Sequence, residues 1–195
     1  MRCSTSIRSS KSSRRQPLRL PGDAPQEGGT HERSPGDLHP QWGGRRLSVQ
    51  ARELLGDVLR ERLGCRGVHL SCGGQGNCGA CTVMVDGDAI RSCLILAIQV
   101  TGRTVETITG IACHAPGQAL VEALHKAGGV QCGYCTAGIV MGVLSYLEES
   151  PSPTDVRQAL SGHVCRFTGY ASIVEAVGEY AAQQADHAAE YKDQP

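Results

Sequence analysis

Aromatic side chains are scarce in this chain of 195 residues: one phenylalanine, one tryptophan and five tyrosines. Its core must therefore be built mostly from Leu, Val, Ile and Ala. Apolar runs are short, and none approaches the about 18 residues of a membrane span. No secretory signal is visible, which argues against structural disulfides as the use of the ten cysteines. Net charge is missing too, with 19 basic and 19 acidic residues. The balance is uneven. Arg2, Arg8, Lys11, Arg14, Arg15 and Arg19 face no acid within residues 1–20, so the remainder has 13 bases against 19 acids, a balance of −6. That speaks against a nucleic-acid-binding core.

Residues 1–44 also lack apolar periodicity and are rich in Ser, Arg, Pro and Gly, so a disordered basic extension is expected there. Ser13-Arg14-Arg15-Gln16-Pro17-Leu18-Arg19 has the look of a twin-arginine export signal. The apolar segment such a signal needs is not supplied by Leu20–Pro25. A basic, serine-rich organellar presequence has a similar composition, as would an extension from a start codon assigned too far upstream. The expectation adopted is a dispensable extension and a cytoplasmic location.

What the chain does have is cysteine and glycine, concentrated between Cys72 and Cys93. Cys72, Cys78 and Cys81 share a loop with Gly73, Gly74, Gly76 and Gly79, and Cys93 follows one hairpin later. Four soft thiolates suit an iron–sulfur cluster. Glycines let the backbone approach sulfur and aim N–H groups at it. Two rivals are weaker. Gly74–Gly79 fits the G-x-G-x-x-G dinucleotide pattern, but a β-like run, Thr82–Val85, follows where a helix is required. Zinc sites place a second close pair about 15–20 residues on, whereas a single cysteine lies 12 positions after Cys81.

The pattern predicts a strand at Arg45–Gln50, a helix over Ala51–Leu63 stopped by Gly64, and a hairpin of Thr82–Val85 and Ala89–Arg91 turning at Asp86-Gly87. A further strand is expected at Arg103–Ile108. Residues 45–109 thus read as a small mixed sheet crossed by one helix. Helices follow: one from Pro116 to Ala127, one from Thr136 through Leu147, a short one at Asp155–Ser161 capped by Thr154, and one from Tyr170 to Ala182. Residues 110–182 read as a bundle of four short helices, and 183–195 as a polar tail. Two special loops lie before the second and fourth helices: Gln131-Cys132-Gly133-Tyr134-Cys135 and Cys165-Arg166-Phe167-Thr168-Gly169-Tyr170.

These motifs, with Leu59–Gly64, Cys78-Gly79-Ala80-Cys81-Thr82-Val83, Ser92-Cys93-Leu94 and Leu160-Ser161-Gly162, run in one order over about residues 45–180. In that order the chain resembles the small iron–sulfur subunit of the molybdenum hydroxylases, the family of xanthine dehydrogenase, aldehyde oxidoreductase, aerobic carbon monoxide dehydrogenase and isoquinoline oxidoreductase. The resemblance implies an α+β protein, with a ferredoxin-like β-grasp domain followed by a C-terminal four-helix bundle, each holding a 2Fe-2S cluster. It implies Cys72, Cys78, Cys81 and Cys93 as ligands of the first cluster, and Cys132, Cys135 and Cys165 as ligands of the second. Gln131 is placed near the molybdopterin of a separate large subunit, and FAD in a medium subunit. Such a chain is part of an oxidoreductase and has no catalytic residues of its own; electrons pass through it from molybdenum toward FAD or another acceptor.

Three departures stand out. Cys72 and Cys78 are separated by five residues, one more than the family's usual spacing, so a wider loop is expected. The stretch Asp37–Gly44, with Pro40, stands where the first strand should be. Phe167 replaces the family's fourth ligand at the helical site, and phenylalanine does not ligate iron. Cys113 and His163 are the internal candidates to stand in, and an apolar ring is expected to intrude on the site. The alternative function is a degenerate, non-catalytic paralogue or metal-binding module that keeps only the first cluster. The substrate is not legible, because it is read by the large subunit.

Overall fold

A computed structural model describes the backbone of residues 41–42, 45–149 and 156–192, and side chains over 47–149 and 156–184. The expected N-terminal extension lies outside the described residues except for Gln41–Trp42. That pair forms strand β1 and pairs antiparallel with β2, Arg45–Arg46. Thr154 and Asp155, the expected cap of the short helix, are outside the described residues as well.

The first helix starts at Leu55 rather than Ala51. Leu54 is extended and bridges Leu96, while the Glu53 carboxylate accepts the Gln50 N–H at 2.6 Å and a hydrogen bond from Arg62 at 2.9 Å. Tertiary pairing thus overrides a good helical stripe. Helix α1, Leu55–Asp57, continues as a wider π-type turn over Val58–Arg62 and ends at Gly64, whose φ is +68°.

The hairpin forms at the expected Asp86-Gly87 turn, with its second strand starting one residue earlier, at Asp88. Strand β3, Thr82–Val85, pairs with β4, Asp88–Arg91, with Thr82 opposite Arg91. Asp86 and Gly87 both have positive φ, 55° and 101°, the conformation a two-residue hairpin turn requires. The next strand is shorter than expected: β5, Val105–Glu106, pairs with the other edge of β3, and the chain then coils into α2, Ile108–Ile111. The sheet order is β4-β3-β5.

Helix α3 spans Ala115–Lys126, with Pro116 in its first turn, and α4 spans Thr136–Glu149. Helix α5, Val156–Leu160, is one turn long, and α6 runs from Ala171 to Lys192. The last helix therefore extends to Lys192, into the segment 183–195 expected to be a polar tail. Its alanines, glutamate and lysine are good helix formers.

Strand β3 is buried on both faces. Val83 and Val85 join Leu55, Leu59, Val68 and Val100 under the sheet. Met84 points the other way, into the helical core of Leu120, Leu124, Ile139, Val143, Ile173 and Val177. Helix α4 lies directly on the hairpin. Ser145 Oγ accepts from Ala89 N–H at 3.0 Å and donates to the Gly87 carbonyl at 3.1 Å. The approach is closest where glycines meet. A Cβ on Gly138 would strike the Gly79 carbonyl, and one on Gly142 would strike the His163 ring.

Candidate metal centres

The hairpin register carries Cys81 and Cys93 to the same end of the sheet. Ser92, fully buried, locks that end: its hydroxyl donates to the Cys81 carbonyl at 2.7 Å and its N–H at 3.3 Å. The Cys93 thiol then lies within hydrogen-bonding reach of the Cys81 sulfur and feels the charge of Cys72. Across the loop, Cys72 is reached by the backbone N–H groups of Cys78, Asn77 and Gln75 and by the Cys78 thiol. The four sulfurs so form two adjacent pairs, Cys72 with Cys78 and Cys81 with Cys93. Among the described residues no three or more His, Cys, Asp or Glu side chains are grouped closely enough to hold a metal ion.

The environments of the pairs differ. The Cys78 N–H leads the hydrogen bonds that bring the Cys72 thiol down to about 6, although partial burial opposes them. Burial, then the Cys81 thiol and its charge, raises Cys93 to about 11. The loop glycines explain the shape. Gly76 has φ +72°, a conformation L side chains rarely adopt, and a Cβ there would also run into Leu94.

At the second site Cys135 ends the loop before α4, its carbonyl accepting the Ile139 N–H at 3.0 Å. Its thiol touches that of Cys165, and burial followed by the Cys165 interaction pushes it up to about 12. For Cys165 burial raises the thiol, but hydrogen bonds outweigh it and the net direction is down. These come from the Thr168 hydroxyl, at 3.0 Å, and from the backbone N–H groups of Thr168 and Phe167. Cys132 is exposed and near enough to Cys135 to act on it electrostatically.

Sequence reasoning missed what shapes this loop. Tyr170 sits at φ +70°, a strained value for a non-glycine residue. Its hydroxyl accepts from Cys165 N–H at 2.7 Å and donates to the His163 carbonyl at 3.0 Å. The signal was present as the Gly169-Tyr170 pair. Gln131 is exposed and donates to the Gly128 carbonyl at 3.4 Å, a local contact.

Residues 39–116 match a family described as a 2Fe-2S iron–sulfur cluster binding domain, and residues 104–178 one described as a [2Fe-2S] binding domain. The nicotine 6-hydroxylase small subunit of Paenarthrobacter nicotinovorans is 47% identical over 135 residues, covering 68% of this chain and 81% of that protein. The xanthine dehydrogenase iron-sulfur-binding subunit of Escherichia coli O157:H7 is 42% identical over 127 residues, 63% and 79% of the two chains. The chain belongs to the small iron–sulfur subunits of the molybdenum hydroxylases. A crystal structure of quinoline 2-oxidoreductase from Pseudomonas putida 86 contains a chain of the same fold, with TM-score 0.69 and 36% identity, covering 77% of this chain and 96% of that one.

As such a subunit, the protein is a 2Fe-2S electron carrier within an oxidoreductase and performs no bond chemistry itself. The nicotine 6-hydroxylase and xanthine dehydrogenase relatives are named as subunits, whereas this chain spans only 15% of the aldehyde oxidoreductase of Megalodesulfovibrio gigas, to which it is 40% identical. No helix among the described residues is long and apolar enough to cross a membrane.

The donors at the first site fit a 2Fe-2S cluster: four thiols in two pairs, with N–H groups aimed at sulfur. The second site does not fit a cluster with four protein ligands. The Phe167 ring does not intrude as expected; it stands 67% exposed, and only its backbone N–H serves the site. His163 lies elsewhere. Its ring packs against Gly79 and Gly142, with Nε2 3.4 Å from Thr82 Oγ1, and burial followed by the Arg91 charge brings it down to about 4. Cys113 is exposed, its thiol donating to the Thr109 carbonyl at 3.5 Å. A backbone hydrogen bond joins the two sites directly: Val164 N–H, one residue before Cys165, donates to the Cys78 carbonyl at 2.9 Å.

Proposed function

We propose that Cys72, Cys78, Cys81 and Cys93 hold one 2Fe-2S cluster and that Cys132, Cys135 and Cys165 form a second, incomplete ligand set. On this reading the cytoplasmic holoenzyme has a molybdopterin-binding large subunit and an FAD-binding medium subunit. Electrons enter on the side of the second site and leave from the first. Bound clusters supply one-electron acceptors; the chain supplies their spacing and polarity. The observation that carries the proposal is the junction at Cys78 and Val164, which ties one site's ligand loop to the other's.

Helices α3 to α6 act here as a four-helix bundle presenting the Gln131–Cys135 and Val164–Phe167 loops to the large subunit. Gln131, Tyr134, Val164 and Phe167 are all exposed. Burial of such apolar rings against a partner is a favourable use of them. The domain assignment is 45–109 for the cluster-binding sheet and 110–182 for the bundle, with residues 1–44 and 183–195 outside the ligand-bearing parts.

The test is native co-purification with iron and acid-labile sulfide analysis, on wild type and Cys93→Ser. The wild type is expected to bring down a molybdopterin protein and to show a 2Fe-2S visible spectrum that Cys93→Ser bleaches or shifts. Zinc without labile sulfide, or no large partner, would refute the reading.

A further inference from the structure

The loops that carry Cys135 and Cys165 are each anchored by contacts that do not involve sulfur. Tyr134, just before Cys135, stacks on His69 with ring centroids 4.0 Å apart and 15° from parallel. His69 Nδ1–H also donates to the Tyr134 carbonyl at 2.9 Å. On the other side, the Tyr170 hydroxyl accepts from Cys165 N–H at 2.7 Å and donates to the His163 carbonyl at 3.0 Å. Between these anchors the Cys135 and Cys165 thiols lie within hydrogen-bonding reach of each other, both half-buried. Cys132 is exposed and acts on Cys135 by charge. The loops thus hold two sulfurs side by side with no metal between them, which is the condition for a sulfur–sulfur bond without a large backbone movement.

We propose that Cys135 and Cys165 are a reversible dithiol, oxidised to a disulfide by a small-molecule disulfide such as glutathione disulfide. The inference starts from the misfit between this site and a cluster with four protein ligands, and it does not depend on the cluster proposed at the first site. One of the two thiolates attacks a sulfur of glutathione disulfide and releases glutathione. The other then displaces the second glutathione from the mixed disulfide. Both protein thiols are oxidised, the small disulfide is reduced to its two thiols, and the protons pass to the glutathione released. The local charge suits this oxidant. Arg166 is exposed beside Cys165, and residues 131–136 and 162–170 contain no Asp or Glu, so its carboxylates meet a cation and no repelling acid. In a reducing compartment such a bond is transient and reports the thiol–disulfide balance.

The experiment is peptide mapping of the full chain. Anaerobically purified protein is incubated with glutathione disulfide, blocked with N-ethylmaleimide under denaturing conditions and cut with trypsin. Residues 127–157 form one peptide, with Cys132 and Cys135, and residues 158–166 another, with Cys165 alone. The two should be recovered joined, and an excess of reduced glutathione added before blocking should return them separate and maleimide-labelled. Fragmentation of the joined wild-type peptides should put the bond on Cys135 and the label on Cys132, so the assignment needs no variant to fold. Cys132→Ser should keep the link and Cys135→Ser lose it. Recovery of 158–166 carrying only maleimide or only glutathione, as a second cluster shielding the thiols would also give, overturns the proposal. So does a bond between Cys132 and Cys135, or a link that reduced glutathione leaves intact. Iron and labile sulfide measured on the same sample report the first site separately: zinc there, with the link still formed, sinks the cluster reading and leaves this one standing.

Discussion

Replacing Gly138 by alanine should destabilise the protein, while the same change at Gly178 should stabilise it. Both glycines lie in helices, α4 and α6, where Gly→Ala favours the helix by about 1 kcal/mol. Their surroundings decide the sign. A Cβ at Gly178 meets only Val156 Cγ2, at 3.9 Å, an ordinary contact. A Cβ at Gly138 strikes the Gly79 carbonyl and lies 3.1 Å from Ala80 Cα. Both obstacles are backbone, and neither swings aside as a flexible side chain would. Overpacking of this kind costs about 1–3 kcal/mol, and rigid neighbours put it at the upper end. The net loss for Gly138→Ala is then about 2 kcal/mol, and the gain for Gly178→Ala about 1 kcal/mol. For a chain of this size that means Tm about 4–8 °C lower and about 2–4 °C higher, respectively. Thermal and urea unfolding followed by far-UV circular dichroism would measure both. Visible circular dichroism adds a second readout: Gly79 directly follows Cys78, so Gly138→Ala should also alter the first cluster's spectrum. Equal stability of Gly138→Ala and wild type would refute the close seam between helix and cluster loop.

Tyr170→Phe removes the hydroxyl shared by the Cys165 N–H and the His163 carbonyl. It should cost about 1–3 kcal/mol in urea unfolding and, in a Phe167→Cys background, broaden the second cluster's resonance signal; an unchanged midpoint would discount the pin. Asp86 accepts from Arg103 Nε at 2.7 Å and from Thr104 N–H at 2.8 Å, and Arg103 chiefly holds its carboxyl below the usual 3.8. A depressed carboxylate lends stability above its unfolded value and loses it as pH falls below about 3.8 through the folded value. Because the pair is largely exposed, Asp86→Asn should cost only about 0.2–1 kcal/mol at neutral pH and show a shallower acid limb than wild type in melts of the metal-free chain. A larger loss at neutral pH, or identical acid limbs, would count against this account of the turn.

Much of this was legible in the residues because the signals are local. The Asp86-Gly87 turn fixes its own hairpin, Pro116 and Gly128-Gly129 bracket α3, and cysteine spacing set apart the loop between Cys72 and Cys81. The misreadings share a cause in distant partners. Leu54 belongs to a helical stripe by sequence, but Leu96 holds it extended. His163 looked available to iron, yet the space that receives it is made by Gly79 and Gly142, far away in the chain. Phe167 was expected to crowd the site because it replaces a ligand, whereas the N–H groups around Cys165 keep the loop's path whatever side chain follows. The length of α6 was underestimated because its second half has the propensity of a helix without the apolar stripe that announces one.

Strand β3 bears on how this architecture could have arisen. Two sequence families meet in the chain, as if two modules had been joined end to end. Yet one four-residue strand serves as a wall for both, with Val83 and Val85 facing one interior and Met84 the other. A fragment ending at residue 109 would leave Met84 against water and strip Ala89 N–H and the Gly87 carbonyl of their Ser145 partner. Neither half is a detachable ferredoxin. Recombination between relatives would be tolerated where both halves travel together, and any split gene would have to reassemble its pieces through this strand.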